Sequence, residues 1–420
     1  MKKISMVLIG AGDRGMDAHG LYALNNPHEL KFVAVAEPDK ERREKFCSMH
    51  KIEKNMSFES YEDVLSKPAL ADAALICTQD RMHFDPTIKA LEKGYHVLLE
   101  KPMSTDPIEC IKMGEFAAKY RRILTICHVL RYTRFFSMLK KLLKDGRIGD
   151  LVSIQHNENV GYWHFAHSYV RGNWRNAATA SPIILAKSCH DLDIMLWLAE
   201  SDCKNVSSFG KLSHFAKENA PLNAPDRCLD GCRYNIECAF SADKIYLTEN
   251  TCWPTSVISN DTSIEARIKA LKEGPYGRCV YKCDNNVVDH QVVNIEFDNG
   301  ITAAFTLSAF TNEWCRTIKL MGTKGEIRGK MEKDEIEVVE FSTGRSDLIR
   351  LKGSNTGHFG GDSGLMRDFI SLVNGDSLNE GLTSASVSVQ SHLMAFAAEK
   401  ARMESKVINM KKYMEELRKC

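Results

Sequence analysis

Residues Lys3 to Gly15 read KISMVLIGAGDRG, an apolar run that passes at once into Gly10, Gly12 and Gly15. Each glycine removes a different steric obstacle. Gly10 permits a tight turn off a strand, Gly12 lets the backbone come close to a bound group, and Gly15 lets the following helix lie against the sheet. The helix N-terminus formed there, with Asp13 and Arg14 inside the turn, offers N–H groups and partial positive charge to phosphate. A second apolar run, Phe32 to Ala36, ends at Glu37. A carboxylate at that place accepts hydrogen bonds from ribose hydroxyls and repels a 2′-phosphate. Strand, glycine turn, helix, strand and acid in this order predict a dinucleotide site that takes NAD in preference to NADP.

A chain of 420 residues with 44% hydrophobic content is long enough for two or three domains with sizeable cores. With 56 basic and 55 acidic residues, it lacks the charge excess of a nucleic-acid footprint or a polybasic membrane anchor. No run approaches the roughly eighteen apolar residues of a membrane span. The apolar stretch after Met1-Lys2-Lys3 is short and runs into the glycine turn, which argues against an export signal. The expected compartment is the cytoplasm, where 14 cysteines read as reduced thiols or metal ligands.

Strand-like and helix-like segments alternate as far as Cys127, which predicts a doubly wound parallel sheet over residues 1–127. Its ligand crevice lies beyond the carboxyl ends of the strands, where the Gly10 turn, Glu37, Thr78-Gln79 and Glu100-Lys101-Pro102 converge. From about Arg131 the pattern becomes one of alternating runs, including 152–156, 291–297, 302–308 and 317–321, and predicts a mostly antiparallel α+β domain over 128–384. Asp298-Asn299-Gly300 and Gly322-Thr323-Lys324-Gly325 are hairpin turn signals. A helical pattern from Ala385 to Leu417 makes 385–420 a C-terminal helical segment, and residues 203–260 read as a cysteine-bearing insert.

Lys101 follows the strand-like run His96 to Leu99, so its ammonium falls in the crevice, where it would orient a substrate hydroxyl and stabilise alkoxide character. The Pro102 that follows points to a held backbone, cis or trans. A glycine fingerprint, a central Glu-Lys-Pro and a later His190-Asp191-x-Asp193 together resemble the Gfo/Idh/MocA oxidoreductases. The resemblance implies a Rossmann domain joined to an open-faced sheet domain, NAD or NADP as cofactor, and a sugar or cyclitol hydroxyl as substrate. It makes Lys101 the active-site lysine, lays Thr78, Gln79 and His83 beside the nicotinamide with Glu100, and matches Gly146 to Gly149 to the helix-to-sheet turn.

His190 is the expected general acid/base, because imidazole titrates near neutral pH. Sugar and inositol dehydrogenases of this family commonly carry an aspartate four residues before that histidine, whereas this chain has Ala186. Either Lys187 replaces the missing polar function or His190 finds another carboxylate. Asp191 is a candidate for substrate binding, and both it and Asp193 equally suit a helix start.

The stretch His156 to Arg175 mixes aromatic faces with polar groups, the combination a sugar ring prefers. Glu158, Tyr162, Trp163, His164, His167, Arg171, Trp174 and Arg175 are its candidates, the arginines for a carboxylate or phosphate. His358 stands in a glycine-flexed loop and is a further candidate, and Asp362 reads as a helix cap. Cys228, Cys232 and Cys238, with Cys203, His214 or Cys252 as a fourth ligand, suit a structural zinc or are buried thiols.

The leading expectation is an NAD-dependent dehydrogenase of a sugar, sugar acid or cyclitol, with an NAD-retaining, redox-neutral glycoside-cleaving enzyme as the alternative. A nucleotide-reading sensor without catalysis is a third possibility. An open sheet face with apolar surface to cover predicts a homodimer or homotetramer.

Overall fold

The computed structural model describes residues 2–353, 359–376 and 381–419. Strands β1 (Ile4–Ile9), β2 (Leu30–Ala36), β3 (Ser57–Phe58), β4 (Ala73–Ile76), β5 (His96–Leu99) and β6 (Leu124–Ile126) pair in the order β3-β2-β1-β4-β5-β6. Every pair is parallel. Sheets of this kind are covered on both faces, which is why β4 is Ala-Ala-Leu-Ile with all four residues buried. The strand order reverses between β1 and β4, and the crevice at that switch point receives the glycine turn.

The crossover helices carry local stop and start signals. Asp106 caps Pro107–Tyr120 by accepting from the Ile108 and Glu109 N–H groups, and Arg121 ends that helix in the left-handed region at φ 51°.

The second sheet has nine strands. They are β7 (Leu151–Asn159), β8 (Cys203–Lys211), β9 (His290–Phe297), β10 (Thr302–Ser308), β11 (Cys315–Gly322), β12 (Gly325–Lys330), β13 (Glu335–Glu340), β14 (Ser346–Arg350) and β15 (Ile408–Asn409). Their order is β14-β13-β12-β11-β7-β10-β9-β8-β15, and only β7 and β10 run parallel. The expected turns close the β9–β10 and β11–β12 hairpins, with Gly300 at φ 86°. Helices Arg134–Lys144, Cys189–Ala199 and Ala385–Glu404 cover one face.

The opposite face is open, as the resemblance implies, and it is mixed in character, with Phe209, Val292 and Leu348 exposed on it beside polar residues. Gln155 and Thr302 stand exposed on it and Asn157 and Thr317 half-exposed, with Lys319 beside them.

Three boundaries differ from the sequence reading. Residues 203–211 are strand β8 of the main sheet, so the cysteine-bearing lobe begins after Lys211 and runs on to β9. The expected continuous helix 385–417 is broken at Ser405, which sits at φ 53°, and β15 then adds an edge strand beside β8. Helix Gly361–Val373, within the stretch assigned to the second domain, packs Leu365, Met366, Phe369 and Ile370 with the first-domain residues Met6, Leu8 and Phe32. Among the described residues no helix is long and apolar enough to cross a membrane.

Candidate active site

The glycine turn has the geometry its residue types predict. Gly10 sits at φ 93°, and a Cβ there would fall 2.6 Å from the Cys77 carbonyl oxygen. A Cβ on Gly15 would fall 2.3 Å from the Gly10 carbonyl, so the helix can approach β1 only with hydrogen at that position. A Cβ on Gly12 would meet nothing within 4 Å, which leaves the open ground beside the turn that a pyrophosphate needs. Glu37 is buried at the end of β2, where one carboxylate oxygen accepts from the Ala11 N–H at 2.6 Å and the other from the Asp39 N–H at 3.0 Å. A carboxylate accepts about four hydrogen bonds, so capacity remains for ribose hydroxyls. The residues fit a dinucleotide.

Arg14 faces inward from the turn. Its Nε donates to Glu100 at 2.7 Å and its Nη2 to Asp362 at 2.8 Å, while His19 Nε2 lies 3.0 Å from the same Glu100 oxygen. Burial raises the Glu100 pKa, but Arg14 and then His19 outweigh it and hold the carboxyl well below its usual range. Asp362 is therefore an ion-pair partner, and Gly360, not Asp362, is the cap of its helix. His19, Cys77 and Glu100 approach one another closely enough for a cation, but Arg14 already neutralises Glu100 there.

The Lys101–Pro102 peptide is cis. His83 is buried and spans two carbonyls, Pro102 at 2.6 Å and Thr78 at 3.0 Å, so it braces the crevice walls against each other. Gln79 and Asp13 are exposed at the rim and Thr78 is half-buried. Lys101 reaches into the second domain, and its Nζ donates to the Ala186 carbonyl at 2.8 Å.

His190 is held in the first turns of the helix Cys189–Ala199, with 9% of its surface exposed. One of its partners is another histidine: His128 Nδ1 lies 3.4 Å from His190 Nδ1. His128 follows β6, is fully buried, and has its pKa pushed down to about 4, chiefly by burial. On its far side stand Ser391 Oγ at 3.5 Å and Asp193 at 4.0 Å. Asp193 is gripped by Arg131, whose Nε and Nη2 both donate at 2.7 Å. His190 thus faces an imidazole backed by an arginine-bound aspartate.

Lys187 belongs to a second buried network. Its Nζ lies 3.2 Å from Glu158, and Arg316 Nη2 lies 2.7 Å from the other Glu158 oxygen. Glu158 is fully buried between these two cations and offers no surface to a substrate, which corrects its expected role. Arg316 Nε and His156 Nε2 each bond Asp191 at 2.8 Å. Burial lowers the Lys187 pKa against the opposing pull of Glu158. Asp191 is completely buried within this network and offers no surface to a substrate, which corrects its expected role. Glu332 accepts from the Arg316 N–H and has its pKa raised to about 7, mainly by burial.

Profiles of the oxidoreductase family match the chain over residues 4–128, as the NAD-binding Rossmann fold, and over residues 140–409, as the C-terminal alpha/beta domain. The chain belongs to the Gfo/Idh/MocA family. Among curated members, YteT of Bacillus subtilis is 23% identical over 322 residues, 73% of either chain. Inositol 2-dehydrogenase of Corynebacterium glutamicum is 26% identical over 209 residues, 49% of this chain and 57% of that one. The 2,7-anhydro-N-acetylneuraminate hydratase of Escherichia coli is 26% identical over 153 residues, 36% of this chain and 40% of that one. An oxidoreductase from Agrobacterium radiobacter, solved with NAD+, L-tartaric acid and magnesium, shares the fold. Its TM-score is 0.69 at 14% identity, over 98% of this chain and 99% of that one.

Within this Gfo/Idh/MocA frame the aromatic stretch divides. His164 is buried edge-on to Trp253 and Trp314, at 4.9 and 5.3 Å between ring centroids, and burial followed by the Lys187 charge drives its pKa well below 6.5. Trp174 is partly exposed and lies 3.5 Å from Asp80, just beyond the Thr78-Gln79 loop. Tyr162 packs edge-on to Phe240. Arg171 is fully buried and donates to the Arg278 and Phe240 carbonyls at 2.8 Å each, so it is built into the cysteine-bearing lobe and cannot receive a substrate anion. Arg175 is spent on Asp284 at 2.8 Å near the surface. His358 lies outside the described residues.

Sequence reasoning missed His128, Arg131, Arg316, Trp253 and Trp314. A histidine directly after a predicted strand end was a usable signal for His128. The others depend on chain segments far apart in sequence.

Proposed function

We propose that the protein moves a hydride between NAD and a hydroxyl-bearing carbon of a sugar, sugar acid or cyclitol, with His190 carrying the hydroxyl proton. One observation carries the substrate class. Ser188 Oγ and His164 Nδ1, beside Lys187, are buried polar atoms without a hydrogen-bond partner among the described residues. Such atoms are costly to leave unmatched, and a polyhydroxylated ligand supplies donors and acceptors to them. The partly exposed Trp174, Trp253 and Trp314 add flat faces for the C–H side of a sugar ring. Glu37 supports NAD over NADP, since its carboxylate at the end of β2 repels a 2′-phosphate.

When bound, the nicotinamide supplies the hydride donor or acceptor. Gly10, Gly12 and Gly15 make room for the pyrophosphate, Thr78, Gln79 and Glu100 would form the walls beside the nicotinamide, and Lys101 orients the reacting hydroxyl. His190 takes or gives the proton and hands it toward His128.

A second reading, redox-neutral cleavage or hydration of an anhydro or glycosidic bond, is favoured by the lowered pKa of Lys187 beside Glu158. A buried amine of that kind suits proton abstraction from carbon. Self-association into a dimer or tetramer belongs to the leading reading, with the uncovered face of the nine-stranded sheet as the contact surface. Sedimentation velocity measures it directly.

The deciding experiment incubates the protein and NAD with sugars, sugar acids, cyclitols and glycosides, following NADH absorbance and released product together. NADH rising with substrate consumption is the expected result. Product without NADH selects the second reading, and inertness of the whole panel overturns both.

A further inference from the structure

We propose that Cys228, Cys232, Cys238 and Cys279 bind a zinc ion as four thiolates and staple the lobe between β8 and β9. These four side chains line one cavity of about 350 Å³. Three come from the C-x3-C-x5-C run; the fourth comes from a distant segment that an antiparallel backbone bridge brings alongside it. In that bridge the Cys228 N–H donates to the Gly277 carbonyl at 2.9 Å and the Cys279 N–H to the Asp226 carbonyl at 2.8 Å. The pairing fixes two of the ligands on neighbouring strands of chain.

Two of the sulfurs also receive the hydrogen bonds a metal-bound thiolate uses. The backbone N–H two residues on, that of Phe240 for Cys238 and that of Tyr281 for Cys279, donates to each sulfur.

Arg171 supplies the independent observation. Its guanidinium lines the same cavity, is 0% exposed, places Nη2 3.5 Å from Cys228 Sγ, and leaves Nη1 without a hydrogen-bond partner. Among the described residues no carboxylate forms an ion pair with it, so four neutral thiols leave a buried cation unbalanced. Four thiolates around one divalent ion carry excess negative charge and give Arg171 its counter-charge. The lobe also needs a staple: its own buried apolar cluster consists of Ala242, Tyr246 and Leu271.

The other ligands considered from sequence do not fit. Cys203 lies in the main core and Cys252 is exposed and outside the cavity wall, while His214 lines the same cavity but has its Nε2 taken up by the Tyr281 hydroxyl at 3.1 Å. No three of the four sulfurs lie within 4.8 Å of one another, so binding draws them inward by rotation about χ1.

The test measures metal content of the purified full-length chain by plasma mass spectrometry, with acid-labile sulfide assayed in parallel. We expect about one zinc per chain, released by a mercurial reagent and captured by a chromogenic chelator. Cys279→Ser and Cys232→Ser should each lower bound zinc by about tenfold or more, and Cys252→Ser should leave it unchanged. Should the serine variants fail to fold, the mercurial release from the unaltered chain still decides. Zinc-free protein whose four thiols all react freely overturns the proposal, as do iron with sulfide or a Cys279→Ser chain that keeps its zinc.

Discussion

His190 and His128 face each other through their Nδ1 atoms across 3.4 Å, and His128 is sealed from solvent. One proton fits between two such nitrogens, so the protonation of one ring sets the role of the other. Replacing His190 by alanine should lower kcat by about 10²- to 10⁴-fold with cofactor affinity retained. His128→Ala should lower kcat by roughly tenfold or more and displace the pH-rate limb assigned to His190. Steady-state kinetics from pH 5 to 9 check both, and an unmoved limb in His128→Ala would remove it from the relay.

Lys187 and Glu158 neutralise each other inside the protein at 3.2 Å. Lys187→Met leaves Glu158 with Arg316 alone. We expect a stability loss of about 3 kcal/mol and turnover reduced by about 10²-fold or more. Glu158→Gln removes the counter-charge of Lys187 and should lower stability and kcat while leaving NAD affinity unchanged. Denaturant titration and kinetics on the same preparations separate the two effects.

Gly10 and Gly12 predict opposite phenotypes from the same substitution. Gly10→Ala forces a Cβ to 2.6 Å from a backbone carbonyl at φ 93°, so the chain should lose stability. Gly12→Ala meets no protein atom within 4 Å, so it should fold normally and lose dinucleotide binding by about tenfold or more. Thermal melts paired with isothermal titration of NAD read both. Tight NAD binding by Gly12→Ala would contradict the pyrophosphate placement.

Glu37 accepts from Ala11 and Asp39 while closing β2. Glu37→Ala should weaken NAD by roughly tenfold to 10²-fold and narrow the gap between NAD and NADP. Parallel titrations with the two coenzymes test this, and an unchanged ratio would relieve Glu37 of discrimination.

His128 and His392 stay neutral in the folded protein because burial lowers their pKa values to about 4 and about 3. In the unfolded chain they titrate near 6.5, so below that pH the unfolded state binds more protons. Stability from this source is complete above about pH 6.5 and drains as pH falls through the folded values, by on the order of 3 kcal/mol for His128 alone. Urea midpoints should fall steadily from pH 7 to pH 4.5, and His392→Gln should flatten the decline.

What the sequence by itself determined were the features governed by a residue and its close neighbours. The glycine turn, Glu37 at a strand end, the parallel and antiparallel sheet classes and the two hairpin turns are set by local sterics and by apolar period, and the structure carries them all. The positions of Lys101 just past a strand end and of His190 at a helix start were legible as well, since each lies at a recognisable element boundary.

Only the tertiary structure decided which charges meet. Glu158 faces Arg316 because β7 and β11 pair in the register that sets those two residues opposite each other. A slip of β11 by one residue would send the Arg316 side chain to the open face and leave Glu158 without it. Arg171 looked like an anion receptor by composition, yet the lobe folded around it; Cys279 gave no sign of joining Cys228 until a backbone bridge did so. Such meetings depend on strand register and on closing long loops, and neither leaves a mark in the spacing of nearby residues.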